Sequence, residues 1–309
     1  MGRALVLSGG SIKGAFQAGA IAEVLARGYV PSAIYGVSVG SLNGAFLAER
    51  AGRAVAGGKS PNWPKIGEKL EKFWRRKITS FDKIGKKNSA PELAFDILFS
   101  DFDGLIDTSP IQTLVRTVIK EVNLRQSPVT FSAGVVNVAT GDYIEADLGY
   151  PNILDYIIAS TAIPVLMPIS MVAGQPLIDG GLRNVAPFKS AIDDGADEIV
   201  CIVCQPSKVS GGNFNQKNLI ELSERLMDII VNETVNNDLE WVEFINQYCP
   251  RDGTPLTDGP FAGCRFIPTT VIRPAVELPI DLEDFDSDDI QELITLGRNA
   301  ASEAMKLHP

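Results

Sequence analysis

The sequence Gly36-Val37-Ser38-Val39-Gly40 places a serine between two glycines, directly after one apolar run and directly before another with helical spacing. This arrangement suits a sharp strand-to-helix turn. The glycines leave room for the bend, and the bend pushes the serine hydroxyl outward. The helix that follows aims its first amides and its partial positive charge at the same point. The chemistry this permits is nucleophilic attack by the Ser38 hydroxyl on a carbonyl carbon.

A second glycine turn precedes it. Arg3 to Ser8 reads as a short buried strand, Gly9-Gly10-Ser11-Ile12-Lys13-Gly14 as a loop, and Ala15 to Leu25 as a helix. Backbone N–H groups in a glycine loop at a helix start hold an anion, which is either a bound phosphate or the oxyanion that develops at an attacked ester. The phosphate readings fail in detail. A Walker loop needs Lys and Ser/Thr after its last glycine, where this chain has Ala15 and Phe16, and a dinucleotide fingerprint needs a glycine where Ser11 stands. The oxyanion reading is preferred to a tight turn without a ligand.

A base must deprotonate Ser38. The chain has one histidine, His308, beside its C-terminus, where chains commonly fray. That argues against a Ser-His-Asp triad. The best carboxylate is Asp179 in Leu177-Ile178-Asp179-Gly180-Gly181, after a long uncharged stretch. Desolvation would strengthen it as a base. On the residues alone, a turn-capping role for an Asp before Gly is an equal reading.

These three motifs, with Ala159-Ser160-Thr161-Ala162-Ile163-Pro164 ahead of the Asp-Gly-Gly turn, resemble the patatin-like phospholipase family in order and spacing, over roughly Arg3 to Ile202. The resemblance implies a Ser-Asp dyad that hydrolyses acyl esters of lipids, with Ser38 as nucleophile and Asp179 as base. It places the oxyanion hole at the amides of Gly9, Gly10 and Ser11, with Gly14, Gly36, Gly40 and Gly180 as supporting turns. Lys13 falls on the family's basic position and reads as an anchor for the loop. One departure is Ser11, where the family has a third glycine; its amide is still available. The expected activity is therefore a serine acyl hydrolase of the lipase/phospholipase A type working through an acyl-enzyme. Two alternatives stand beside it: an acyltransferase delivering the acyl group to an alcohol or lysolipid, and a non-catalytic lipid-binding or interaction module.

The motifs must be held by a framework. Strand 3–8, helix 14–27, strand 33–37 and helix 38–50 alternate as in a parallel sheet covered on both faces. The expectation is α/β: a three-layer αβα fold with a mainly parallel central sheet. With 309 residues and neither a linker nor a repeat, one domain over 1–309 is expected. Later elements are strands at Val129–Val138, 198–204 and 265–272, a hairpin from Gly141-Asp142 into Tyr143–Glu145, and a helix starting at Pro187. A helical face on Leu219, Leu222, Leu226, Ile229 and Ile230 extends toward Tyr248, and a closing helix spans Asp288–Lys306.

Residues 52–100 interrupt the alternation and carry eleven Lys/Arg, in a chain of net charge −10. Lys65 to Lys77 reads as a basic amphipathic helix. It is either a flap touching anionic lipid head groups or, slightly preferred, a solvated helix paired with acidic surface. Glu277 to Glu292, with eight Asp/Glu and no Lys/Arg, is the acidic candidate.

Tyr156 to Ile178 is 23 residues without a charge, but Pro164, Pro168 and Pro176 exclude a spanning helix. It reads as a helix end, a loop and short strands leading to Asp179. No signal peptide or myristoylation site is found, so a cytoplasmic protein, at most peripheral to a membrane, is expected. Cys201 and Cys204 lie on opposite sides of a strand and read as buried apolar residues. Cys249 and Cys264 flank a turn-rich segment and could bridge, but are expected to be reduced. No metal, cofactor or nucleic-acid partner is expected; the partner is a lipid acyl ester.

Overall fold

In the computed structural model, residues 2–88, 104–209 and 217–307 are described. His308 and part of the 52–100 segment lie outside them. The first four elements alternate as expected: β1 (Arg3–Leu7), α1 (Gly14–Ala26), β2 (Ala33–Val37) and α2 (Val39–Ala56). Helix α2 runs six residues beyond the expected end and through Gly52. A Cβ there would lie 1.9 Å from the Asn123 carbonyl oxygen, so the glycine weakens the helix but lets the neighbouring backbone pack against it.

Next come α3 (Trp63–Lys77) and a two-residue ladder between β3 (Lys86–Lys87) and β4 (Ile106–Asp107), then α4 (Ser109–Val118) and α5 (Glu121–Leu124). Asn62 caps α3 by accepting the Lys65 amide at 3.1 Å, and Pro64 occupies its first turn. Its apolar face, Trp63, Ile66, Leu70, Phe73 and Trp74, is buried in the main core, while Lys65, Lys69, Lys72, Arg75, Arg76 and Lys77 face solvent. Full burial of each large apolar side chain contributes about 2 kcal/mol. Glu71, buried on the same helix, is met by Arg298 Nε at 2.5 Å, and Lys87 reaches Glu283 of the acidic segment at 2.7 Å.

The chain continues through β5 (Thr130–Asn137), β6 (Tyr143–Asp147), α6 (Ile153–Ser160), β7 (Ser170–Val172), β8 (Gln175–Asp179), α7 (Phe188–Asp193) and β9 (Glu198–Ile202). It closes with α8 (Leu219–Tyr248), β10 (Thr269–Ile272) and α9 (Ser287–Leu307). The late strand is shorter than expected, because Pro268 has no amide for a ladder and only its carbonyl is used, by Ile199 N.

The sheet order is β10-β9-β1-β2-β5-β8-β7, with β6 also paired to β5. β10, β9, β1, β2 and β5 run parallel; β6 and β8 run antiparallel to β5. Alternate side chains of β1 divide the two cores. Leu5 and Leu7 face the large core with α1, α2 and α3, whereas Ala4 and Val6 face the smaller one with α7 and α8. The fold is the expected three-layer α/β arrangement. All four cysteines are free thiols. Among the described residues no helix is long and apolar enough to cross a membrane.

Candidate active site

Ser38 sits at the junction of β2 and α2 with φ 55° and ψ −130°, a region L-residues rarely occupy and that costs about 1–3 kcal/mol. The turn is tight enough that side chains on its flanks would not fit. A Cβ on Gly36 would lie 2.5 Å from the Gly40 carbonyl oxygen, and one on Gly40 would lie 2.2 Å from the Leu7 carbonyl oxygen. Gly40 is therefore where α2 presses against the end of β1.

Sheet register brings Asp179 to this turn. β6 occupies one edge of β5 from Ser132 to Val136. Along the other edge, β2 pairs as far as Val37 with Gly134, and β8 takes over at Asp179 with Val135. The two strands approach end to end on one edge of β5 and stop at adjacent positions, so Ser38 and Asp179 meet. The break in the ladder leaves backbone groups to be satisfied, and Ser160, the last residue of α6, fills it. Its Oγ accepts the Ser38 amide at 2.9 Å and donates to the Gly134 carbonyl at 2.7 Å. The Asp179 amide donates to Ala162 O at 3.0 Å. The Ala159–Pro164 motif thus buttresses both sides of the turn.

The Asp179 carboxylate is buried, and the neighbouring Ser38 hydroxyl works to lower its pKa. Its Oδ1 accepts the Gly181 amide at 2.8 Å. Loss of hydration outweighs the lowering influence of the Ser38 hydroxyl and the Gly181 amide and pushes its pKa up to about 6. Gly180 packs against Gly134.

The loop Gly9–Gly14 curls beside Ser38. A Cβ on Gly9 would lie 3.2 Å from Ser38 Cβ. The expectation of three amides lining an oxyanion hole narrows here: the Gly9 N–H donates to Val185 O at 3.2 Å. Gly9 therefore shapes the floor, and Gly10 and Ser11 are the remaining candidate donors. Ser11 has φ 49°, in the left-handed region, which gives a physical reason for the family's glycine at this point. Gly14 opens α1 against Val39 and Trp74. Lys13 leaves the loop sideways: its Nζ meets both carboxylate oxygens of Asp228 on α8, at 2.9 and 3.0 Å.

Under the loop runs a buried polar chain that sequence reasoning missed. Trp74 Nε1 donates to Asn43 Oδ1 at 2.8 Å, and Asn43 Nδ2 donates to Gln17 Oε1 at 3.0 Å and to Gly14 O at 3.1 Å. Gln17 Nε2 donates to Ser8 O at 3.1 Å and Ile202 O at 3.2 Å. The only sequence signal was the placement of Gln17 and Asn43 on helix faces otherwise lined by apolar residues. Ser160 was visible as part of a motif, but its bonding was not. Asp228 carried no signal.

Ser38 borders two cavities. One, of about 70 Å³, is apolar, walled by Leu42, Trp74, Ile78, Ile84, Ile111 and Met167. The other, of about 110 Å³, is more polar and holds Asp179, Lys13, Gln205 and Asp228. Ser11, Ile12, Ile163 and Leu282 border both. An ester carbonyl at Ser38 could therefore lie between an apolar arm and a polar one. Among the described residues, no cluster of His, Cys, Asp or Glu is arranged to hold a metal ion.

A family model described as "Patatin: Patatin-like phospholipase" matches residues 5–192. The chain belongs to the patatin-like phospholipase family, a family of lipid acyl hydrolases. Among solved structures it is similar to VipD from Legionella pneumophila, with 13% sequence identity over 99% of this chain and 67% of that one and a TM-score of 0.45. No curated protein matches it.

Proposed function

We propose that the protein is a serine acyl hydrolase that cleaves fatty acyl esters of lipids through a Ser38-Asp179 dyad. The observation that carries this reading is the meeting of Ser38, at a strained turn, with the buried Asp179, where β2 and β8 end at adjacent positions of β5 between an apolar and a polar cavity. The acyl chain enters the apolar cavity and the alcohol portion the polar one. Asp179 accepts the Ser38 proton as Oγ bonds to the ester carbon. The Gly10 and Ser11 amides take up the negative charge on the carbonyl oxygen. The C–O bond to the alcohol then breaks, and the departing oxygen receives the proton from Asp179. In the second half, Asp179 takes a proton from water, the resulting hydroxide attacks the acyl-enzyme, and the fatty acid leaves as the proton returns to Ser38. Lys13 positions the loop through Asp228 and transfers no proton.

The test is fluorophosphonate labelling of wild type, Ser38→Ala and Asp179→Asn, together with fatty-acid release from p-nitrophenyl acyl esters. Labelling and release should vanish in Ser38→Ala and fall by about 10³-fold or more in Asp179→Asn. Full labelling of Ser38→Ala would refute the assignment.

A further inference from the structure

We propose that Asp228 decides which esters this site accepts. By capping Lys13 it leaves the polar cavity without an available cation, so the cavity takes an uncharged, hydroxyl-bearing alcohol portion, as in a diacylglycerol, and turns away one that bears phosphate. The proposal rests on the Ser38-Asp179 reading above and adds the class of lipid.

Few charges line the two cavities. Among the described residues, no Asp, Glu, Lys or Arg lines the apolar cavity. Three line the polar one: Lys13, Asp179 and Asp228. Lys13 is the single cation of the three, and its Nζ meets both carboxylate oxygens of Asp228, at 2.9 and 3.0 Å. The two side chains are only 14% and 29% exposed, so water and salt screen this pair less than one on the open surface. With Asp179 ionised as the working base, the lining carries two negative charges against one positive.

Neighbouring cations are engaged elsewhere. Arg225, one turn before Asp228 on α8, pairs with Glu277 at 3.4 Å. Arg273 donates to the Gln205 and Pro206 carbonyls and to Asn236 Oδ1. Neither of them lines the polar cavity.

The polar lining is rich in acceptors. Gln205 is 3% exposed, and its buried Oε1 has no hydrogen-bond partner. Each Asp228 oxygen keeps a lone pair beyond the one that Lys13 uses. Donors are scarcer, because the Gly10 and Ser11 amides serve the carbonyl oxygen in the proposed reaction. In a glycerolipid the hydroxyl or phosphate stands one or two carbons from the ester oxygen, so whichever is present enters with the alcohol portion. An ionised phosphate brings acceptor oxygens and negative charge to a lining that holds both. A hydroxyl brings the donor that Asp228 can accept. Discrimination comes from the like charge that the phosphate would face without a partner.

The experiment uses the full chain with diacylglycerol and with the phosphatidic acid of identical acyl chains, each in the same nonionic detergent micelles. Wild type should favour diacylglycerol in kcat/KM by about tenfold or more. Asp228→Asn keeps the shape of the side chain and removes its charge. It should narrow that ratio by about tenfold or more, through a lower KM for phosphatidic acid. Lys13→Met/Asp228→Asn should lose this gain, because no cation remains. A loop merely loosened by losing the pair would slow both substrates alike and leave the ratio where it was. Three results would overturn the proposal: wild type that cleaves phosphatidic acid as well as diacylglycerol or better, an unchanged ratio in Asp228→Asn, or a gain that survives in the double variant. Hydrolysis of p-nitrophenyl esters, measured in parallel, keeps the two readings apart. Ser38-dependent hydrolysis with the wrong lipid ratio overturns the role of Asp228 alone, whereas hydrolysis that survives in Ser38→Ala overturns the dyad and this proposal with it.

Discussion

Ser160 holds the Ser38 amide at 2.9 Å while its own hydroxyl proton is given to Gly134 O at 2.7 Å. One side-chain oxygen thus satisfies two buried backbone groups at the gap where β2 ends and β8 begins. Ser160→Ala leaves both unpaired, and an orphaned buried group costs about 1–3 kcal/mol. The expected outcome is a loss of about 3 kcal/mol in urea unfolding with slower fluorophosphonate labelling of Ser38. Unchanged labelling would show that the turn holds its shape without the bridge.

Asp179 makes opposite demands on stability and activity. Its pKa is raised from 3.8 to about 6, chiefly by burial. A carboxyl raised on folding favours the folded state when protonated. Its charge therefore imposes no cost below about pH 4 and the full cost above about pH 6, on the order of 3 kcal/mol. Asp179→Asn should raise the melting temperature at pH 8, lose that gain by pH 4, and abolish turnover. Melting curves at the two pH values check the sign.

The same shift sets the pH profile of the proposed reaction. The base works ionised, so kcat/KM should climb through a midpoint near 6 and level off above it. That midpoint imitates an imidazole. The chain's only histidine is His308, and His308→Ala should leave the profile in place.

Most of the framework was readable because its signals are local. The glycine turns at 9–14 and 36–40 and the period-two pattern of β1 and β9 each announce themselves within a few residues. Asp179 could be nominated as base but not chosen over a turn cap, since its partner is decided by pairing across β5. Sequence shows the Gly9 amide but not that Val185 O takes it, so it cannot separate Gly9 from the candidate oxyanion donors. The Lys13–Asp228 pair and the Trp74-Asn43-Gln17 chain join residues far apart in sequence and were beyond reach for the same reason.

That chain makes its own prediction. Asn43 is fully buried and bonds Trp74, Gln17 and Gly14 at once. Asn43→Leu would leave the Trp74 N–H, the Gln17 oxygen and the Gly14 carbonyl without this partner. A loss of about 3 kcal/mol or more is expected from chemical denaturation.

Thiol reactivity offers a check on packing. Cys201, Cys204 and Cys249 are buried, and burial raises the pKa of each thiol, whereas Cys264 is only partly covered. A thiol reagent should modify about one cysteine quickly in the folded protein and the rest after unfolding. Rapid modification of Cys204 would contradict the close packing of Gly10 against it, where a Cβ would lie 2.4 Å from Cys204 Cβ.

The end-to-end meeting of β2 and β8 on β5 also divides what the protein can vary. Ser38 and Asp179 are set by main-chain pairing to one strand, and a slip of a single residue would turn Asp179 to the opposite face. Drift in the surrounding loops cannot retune that distance. The segment from 161 to 173 borders both cavities through Ile163, and the first half of α8 borders the polar one, but neither supplies a residue of the proposed dyad. Change can accumulate there, resizing the two cavities, while the proposed pair inherits its spacing unchanged from the sheet.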